Sequence, residues 1–151
     1  MILVHYSKEP LELRECCYIQ EVDHKPHGLW VSCEHLKDDH NWLDWCTSEE
    51  FRLEHLKYRQ EIKLKPAARI LTLSTLWGLS WFTREYSRDR IPGVHCKMFI
   101  DWPQVARDWN GIIIAPYQWE CRLNPSYFWY YSWDCSSGCI WNLDIICRGT
   151  D

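Results

Sequence analysis

The sequence lacks the short motifs that mark the common nucleotide-dependent and hydrolytic enzymes. It contains no Walker A loop, no Gly-x-Gly-x-x-Gly turn and no Gly-x-Ser-x-Gly elbow. It also lacks the paired Cys-x-x-Cys clusters on which convincing zinc sites are built. These absences argue against a P-loop or Rossmann nucleotide site, an α/β-hydrolase and a metal centre, and no metal is expected.

Long hydrophobic runs and an excess of positive charge are missing as well. No segment reaches the roughly 18 apolar residues needed to cross a membrane, and MILVHYSKEP at the start lacks the pattern of a signal peptide. The nine cysteines are an odd number in a chain rich enough in apolar residues to need no disulfides. We therefore expect reduced thiols, no membrane partner and a cytoplasmic location, in a bacterial cell or an infected host.

Repeats and linkers are also absent, so we expect residues 1–151 to form a single domain. Apolar residues make up 46% of the chain and charged residues 25%, with a net charge of −4. This balance is typical of a globular protein and argues against a basic nucleic-acid sleeve as its main function.

Aromatic residues are what the sequence has in excess, with 11 tryptophans and 8 tyrosines. Average usage would give about two tryptophans in a chain of this length. Most of them are interpreted as core residues. The remainder are candidates for stacking on a base or a nicotinamide ring.

Hydrophobic patterning predicts more strands than helices. Apolar or alternating runs predict strands at 2–7, 28–32, 55–65, 68–73, 112–115, 127–133 and 139–142. Ser74 or Thr75 is predicted to cap a helix reaching about Ser87, and Asp101 to cap a second helix. The spacing of Thr47 and Glu50 predicts a short helix there. Because strands and helices do not alternate regularly, the fold class is predicted as α+β.

Five short stretches, in this order, resemble the ADP-ribosyltransferase superfamily. They are LVHYS (3–7), GLWVS (28–32), YRQEIKLKPAARILTL (58–73), WNGIII (109–114) and SGCIWNLDII (137–146). The resemblance implies a split β-sheet core with a few helices and NAD as co-substrate. It also implies transfer to a macromolecular acceptor, protein or nucleic acid, by a small enzyme of the kind that phages and mobile elements encode.

The resemblance also implies which residues bind NAD. His5 matches a first-strand histidine that hydrogen-bonds the nicotinamide ribose, and Ser7 shares its side of the strand. Gly28 and Trp30 match a Gly-hydrophobic-Tyr motif whose ring stacks on nicotinamide, with tryptophan in place of tyrosine. Ser32 lies on the same side of its strand as Trp30.

The catalytic position departs from the family pattern. Aligning SGCIWNLDII with the family's last motif strand puts Ser137 where transferases carry a glutamate. A hydroxyl cannot stabilise an oxocarbenium ion as a carboxylate does. Asp134, three residues upstream, is the candidate acid, with Ser137 and a water as the other candidate.

Two other functions stay open at this point. One is a non-catalytic module of the same fold that binds a nucleotide or a protein, for example an inhibitor or anti-defence protein. The other is a single-strand nucleic-acid binder that uses its aromatic surface.

Overall fold

The computed structural model describes residues 1–37, 39–88 and 97–149. Over these ranges the regular elements are, in chain order, β1 Ile2–Ser7, β2 Val22–Asp23, β3 Leu29–Glu34, α1 Trp42–Ser48, β4 Tyr58–Ile62, β5 Ile70–Leu73, α2 Leu76–Tyr86, β6 Ser87–Arg88, β7 Phe99–Asp101, α3 Trp102–Asp108, β8 Gly111–Ile114 and β9 Ser137–Ile140. Four 3₁₀ segments, Leu53–Leu56, Trp119–Cys121, Pro125–Ser132 and Leu143–Ile145, connect them.

A six-stranded mixed sheet in the order β4-β1-β3-β9-β8-β5 organises the structure. Its strands pair antiparallel except β5 and β8, which are parallel. A smaller antiparallel sheet, β2-β7-β6, accompanies it. The fold is therefore mixed α/β, in agreement with the coarse class predicted from the sequence.

The two faces of the large sheet carry two hydrophobic clusters. One cluster contains Ile112 and Ile114 of β8, and it packs with α2, α3 and four fully buried tryptophans, Trp102, Trp129, Trp133 and Trp141. The other contains Leu3, Val31 and Ile140, covered by residues near the C-terminal 3₁₀ segment. Both faces are covered, which explains why β8 is apolar at every position after its glycine.

The predicted caps of α2 and α3 are confirmed. The Thr75 side chain accepts from the backbone N–H of Gly78 at 3.0 Å and starts α2. The Asp101 side chain accepts from Gln104 N at 3.1 Å and starts α3, with Pro103 in the first turn. Each side chain partners one of the backbone donors that a helix start leaves free.

The strand predicted at 127–133 is wrong. Residues Pro125–Ser132 form 3₁₀ turns instead, and the Asn124 side chain accepts from Ser126 N at 3.0 Å at their start. An almost wholly aromatic stretch has no contrast between apolar and polar positions, so its period cannot be read. The turns bury Trp129 and Tyr130 against the large cluster.

Other boundaries also differ from the predicted ones. The strand predicted at 139–142 spans Ser137–Ile140, that predicted at 28–32 spans Leu29–Glu34, and that predicted at 68–73 spans Ile70–Leu73. The short helix begins at Trp42 rather than near Thr47, because Asn41 and Asp44 form a reciprocal capping box. The strand predicted at 55–65 is shortened to Tyr58–Ile62 by the preceding 3₁₀ turn. Of its five residues only Ile62 is buried, as befits a strand at the sheet edge.

Candidate functional site

A cavity of about 310 Å³ lies over the part of the sheet where β1, β3 and β9 are neighbours. Side chains from these strands and from three connecting segments line it: Val4, His5, Tyr6, Lys25, Trp30, Val31, Ser32, Trp42, Arg52, His55, Ser132, Trp133, Asp134, Cys135 and Ser137. Its volume falls at the lower end of the range of small-molecule sites.

The floor of the cavity is set by strand register. Val4 pairs with Ser32 across β1 and β3, and Ser32 pairs with Ser137 across β3 and β9. Because directly paired residues point to the same face, these three side chains form a row. The Ser32 hydroxyl accepts from Trp42 N at 3.0 Å, and the Ser137 hydroxyl donates to the Cys135 carbonyl at 3.1 Å.

His5 joins the site through a bond to the neighbouring strand. Its Nδ1 lies 2.7 Å from the backbone oxygen of Trp30, just beyond the last β1–β3 pair. A carbonyl oxygen can only accept, so Nδ1 carries the proton, and Nε2 of the neutral ring is left as an acceptor. Strand alternation puts Val4 and Tyr6 on the face of Ser32 and His5 on the opposite face of β1. His5 lines the cavity where the β1–β3 pairing ends.

Trp30 forms an aromatic wall with Trp133. The two ring centroids lie 4.9 Å apart at 65°, an edge-to-face arrangement. The ammonium of Lys25 lies over the Trp30 ring, 5.3 Å from its centroid. Desolvation of the Lys25 ammonium lowers its pKa, and the nearby Asp134 carboxylate opposes that shift.

Asp134 is held at the edge of the cavity by an arginine. Its Oδ1 lies 3.3 Å from Nη2 of Arg122. Arg122 also donates to the Tyr117 hydroxyl at 2.8 Å, while Tyr117 donates to the Trp133 carbonyl at 2.5 Å. Burial raises the pKa of Tyr117 to about 12, although Arg122 works against it. The carboxylate therefore has a fixed position and a fixed counter-ion.

Tyr6 is a cavity residue that the sequence argument missed. Its hydroxyl donates to the Glu34 carboxylate, which also accepts from Arg59 Nη2 at 3.0 Å. Burial, followed by the Glu34 carboxylate, raises the pKa of Tyr6 to about 12. The phenol is thus a neutral donor whose ring is fixed in the wall. The sequence feature that could have identified Tyr6 as a site residue is its position in β1, one residue after His5.

The sequence argument also missed three residues that line the cavity: Trp42, Arg52 and His55. The prediction of a strand from residue 55 put His55 in a sheet, whereas it belongs to a 3₁₀ turn that brings it to the cavity. Arg52 caps that turn in the left-handed region, with φ of 48°. The edge of the Trp42 ring faces Phe51, with centroids 6.2 Å apart. No sequence pattern identifies such a residue in advance.

Five of the seven predicted site residues meet in the cavity: His5, Trp30, Ser32, Asp134 and Ser137. Ser7 and Gly28 are not among its lining residues. The Ser7 hydroxyl donates to the Glu9 carbonyl at 2.6 Å. A Cβ at Gly28 would lie 2.4 Å from the Ile140 carbonyl oxygen, so this glycine permits the close approach of two strands.

Buried thiols lie near the cavity but carry no nucleophilic chemistry. Burial raises the pKa of Cys33 to about 12 and raises that of Cys135 as well, so both stay protonated at neutral pH. Within residues 1–37, 39–88 and 97–149, no three His, Cys, Asp or Glu side chains come together as a possible metal site. No helix in those ranges has the length and apolar character of a membrane span.

Comparison with known proteins gave no match: no family model, no curated protein and no solved structure matches this chain. The function is therefore argued from the cavity itself.

Proposed function

We propose that the cavity binds NAD and that the chain is an NAD-dependent ADP-ribosyltransferase with a split-sheet core of that superfamily. Its acceptor is a macromolecule, a protein or a nucleic acid, in the cytoplasm of a bacterium or an infected host. The observation that carries the proposal is the meeting of His5, Trp30 and Ser137 over three adjacent strands. These residues were selected from motif order alone and come from opposite ends of the chain.

The shape of the cavity supports a flat heteroaromatic ligand. Trp30 and Trp133 form one wall, and Tyr6 and Trp42 also line the space. A volume of about 310 Å³ suits a nicotinamide ring with its ribose better than a whole dinucleotide. The Trp30 ring attracts the Lys25 ammonium, and the same π-face would attract the positively charged ring of NAD⁺.

His5 would orient the ribose. With Nδ1 committed to the Trp30 carbonyl, its free Nε2 can accept a hydrogen bond from a ribose hydroxyl. The same bond prevents the ring from turning, so the acceptor atom is presented in one direction. Pre-organisation of this kind reduces the entropy cost of binding.

Asp134 would stabilise the charge that develops as the glycosidic bond breaks. In transfer, the bond from C1′ to the nicotinamide nitrogen breaks with its electron pair leaving on nicotinamide, and the acceptor nucleophile bonds C1′. A carboxylate beside C1′ favours the positive charge of that transition state. The ion pair with Arg122 reduces this effect, so we expect slow transfer.

One observation favours the non-catalytic alternative. Ser137 stands at the first position of β9, where transferases of this superfamily carry glutamate, and its hydroxyl is bonded to the Cys135 carbonyl. A module that binds a nucleotide or a partner protein without transfer would need no carboxylate there.

The deciding experiment incubates purified protein with isotopically labelled NAD⁺ and cell lysate and follows label on protein and nucleic acid. His5→Ala, Trp30→Ala, Asp134→Ala and Ser137→Ala are assayed beside the wild type, and NAD⁺ binding is titrated separately. Loss of the Trp30 ring should weaken NAD⁺ binding by roughly tenfold, the worth of one stacked ring. Ser126→Ala, at an exposed position outside the cavity, is the matched control.

The outcomes separate the functions. Label transfer that is lost in His5→Ala and reduced at least about 100-fold in Asp134→Ala supports the transferase. Tight NAD⁺ binding with neither transfer nor hydrolysis supports the binding module. Absence of NAD⁺ binding by the wild type refutes the transferase and the NAD-binding module, and leaves only a module that binds a different nucleotide or a partner protein.

A further inference from the structure

The cavity contains two cations that have no carboxylate partner. Lys25 and Arg52 both line it. Within residues 1–37, 39–88 and 97–149, neither forms an ion pair. The Asp134 carboxylate, which attracts Lys25, is itself paired with Arg122 at 3.3 Å.

The two cations repel each other. Burial is the main cause that lowers the pKa of Lys25, the Asp134 carboxylate raises it, and the positive charge of Arg52 lowers it by less than Asp134 raises it. An anionic ligand between Lys25 and Arg52 would add to the attraction that Asp134 supplies and offset the repulsion between the two cations.

The backbone around Arg52 has an unusual conformation. Arg52 has a φ of 48° and Glu50 a φ of 50°, both in the left-handed region that residues with a Cβ seldom adopt. The guanidinium lies over the ring of Phe51, 5.2 Å from its centroid. Conformations of this kind are concentrated at binding sites, where the surrounding structure maintains them.

We infer that Lys25 and Arg52 form an anion site that holds a phosphate group of the cavity's ligand. The flexible stem of Lys25 allows its ammonium to leave the Trp30 ring and meet a phosphate oxygen, while the arginine fork matches two oxygens at once. This site needs no transfer chemistry and does not rest on the proposed reaction. The phosphate comes either from the diphosphate of a dinucleotide or from an acceptor nucleic acid.

The test titrates the wild type, Lys25→Met and Arg52→Gln with inorganic pyrophosphate by calorimetry. Arg14→Gln is the control, because Arg14 is exposed over 84% of its side chain and lies outside the cavity. Both cavity substitutions remove a charge and keep most of the stem. Each should weaken pyrophosphate binding about tenfold or more, the usual effect of losing one charge-assisted bond, and the control should bind as the wild type does.

Two further titrations identify the source of the phosphate. NAD⁺ binding that falls in both variants while nicotinamide riboside binding is unchanged assigns the site to the dinucleotide. Weakened binding of a 5′-phosphorylated oligonucleotide, with no effect on its unphosphorylated form, assigns it to an acceptor. The inference is overturned if the wild type binds no pyrophosphate, or if the cavity variants bind it as tightly as Arg14→Gln. If the wild type binds pyrophosphate as expected but transfers no label, the transferase is refuted and the anion site stands.

Discussion

Buried tryptophans of the helix-covered core and of the cavity wall differ in how their indole nitrogens are used. In the core, Trp102 donates to the Asp23 carbonyl at 3.1 Å, Trp129 to the Thr83 hydroxyl at 3.0 Å and Trp141 to the Trp109 carbonyl at 2.7 Å. Each N–H has a partner within the fold. The core is therefore complete without any other molecule.

The cavity wall is built from the same residue type but is incomplete. Trp133 is as deeply buried as the core tryptophans, yet its Nε1 has no partner among the described residues. Trp30 beside it is only partly buried, and its ring is covered by a lysine. Burial alone therefore does not distinguish Trp133 from the other three tryptophans of the helix-covered cluster, whereas the pairing of its indole nitrogen does.

The strongest test of the comparison removes a core ring. Trp102→Ala should lower the free energy of unfolding by about 3–5 kcal/mol, because it deletes a fully buried aromatic side chain. Trp77→Ala, at a position that is 83% exposed, should change it by less than about 0.5 kcal/mol. Urea denaturation measures both. Equal losses would show that α2 and α3 do not cover a packed core.

A subtler pair isolates the hydrogen bond. Trp141→Phe and Trp133→Phe remove the same atoms. Only Trp141→Phe leaves a carbonyl, that of Trp109, without the donor it had. Trp141→Phe should therefore be less stable than Trp133→Phe by about 1–2 kcal/mol, as compared by denaturant midpoint. If Trp133→Phe is the more damaging change, its N–H has a partner after all and the comparison fails.

The smallest effect concerns pH. The pKa of Tyr117 is raised from 10.0 to about 12 in the fold, so the unfolded chain loses this proton first. The resulting stability is fully present below pH 10 and is lost as the pH rises through 12. Tyr117→Phe should show a shallower fall in melting temperature between pH 9 and pH 11 than the wild type. Tyr131→Phe, at a position 48% exposed, should keep the wild-type slope.

Sequence patterns located the elements whose apolar and polar positions contrast. Four elements lie close to their predicted bounds: the strands predicted at 2–7 and 112–115 and the helices predicted to begin at the caps Thr75 and Asp101. The aromatic run at 127–133 failed because it has no such contrast. The start of α1 was also mispredicted. Asn41 caps this helix through reciprocal hydrogen bonds with Asp44, whereas the Thr47–Glu50 spacing predicted a later start.

Motif order selected four cavity residues on paired strands, His5, Trp30, Ser32 and Ser137, and Asp134 in the segment before β9. Alternation was a poorer guide, because His5 and Ser7 lie on the opposite face of β1 from Val4 and Ser7 does not line the cavity. Lys25 and Arg52 reach the cavity from irregular segments, whose positions depend on tertiary packing. Arg52 also has a left-handed backbone that no local pattern encodes.

The position of β9 in the sheet has a consequence for synthesis. This strand lies between β3 and β8, and it joins the antiparallel strands β4, β1 and β3 to the parallel pair β8 and β5. Its Ser137 pairs with a residue more than 100 positions earlier in the chain. Contacts so distant in sequence form slowly. A nascent chain that has not yet released β9 from the ribosome leaves the facing edges of β3 and β8 unpaired and has no complete cavity, so the cavity can bind no ligand before β9 has emerged.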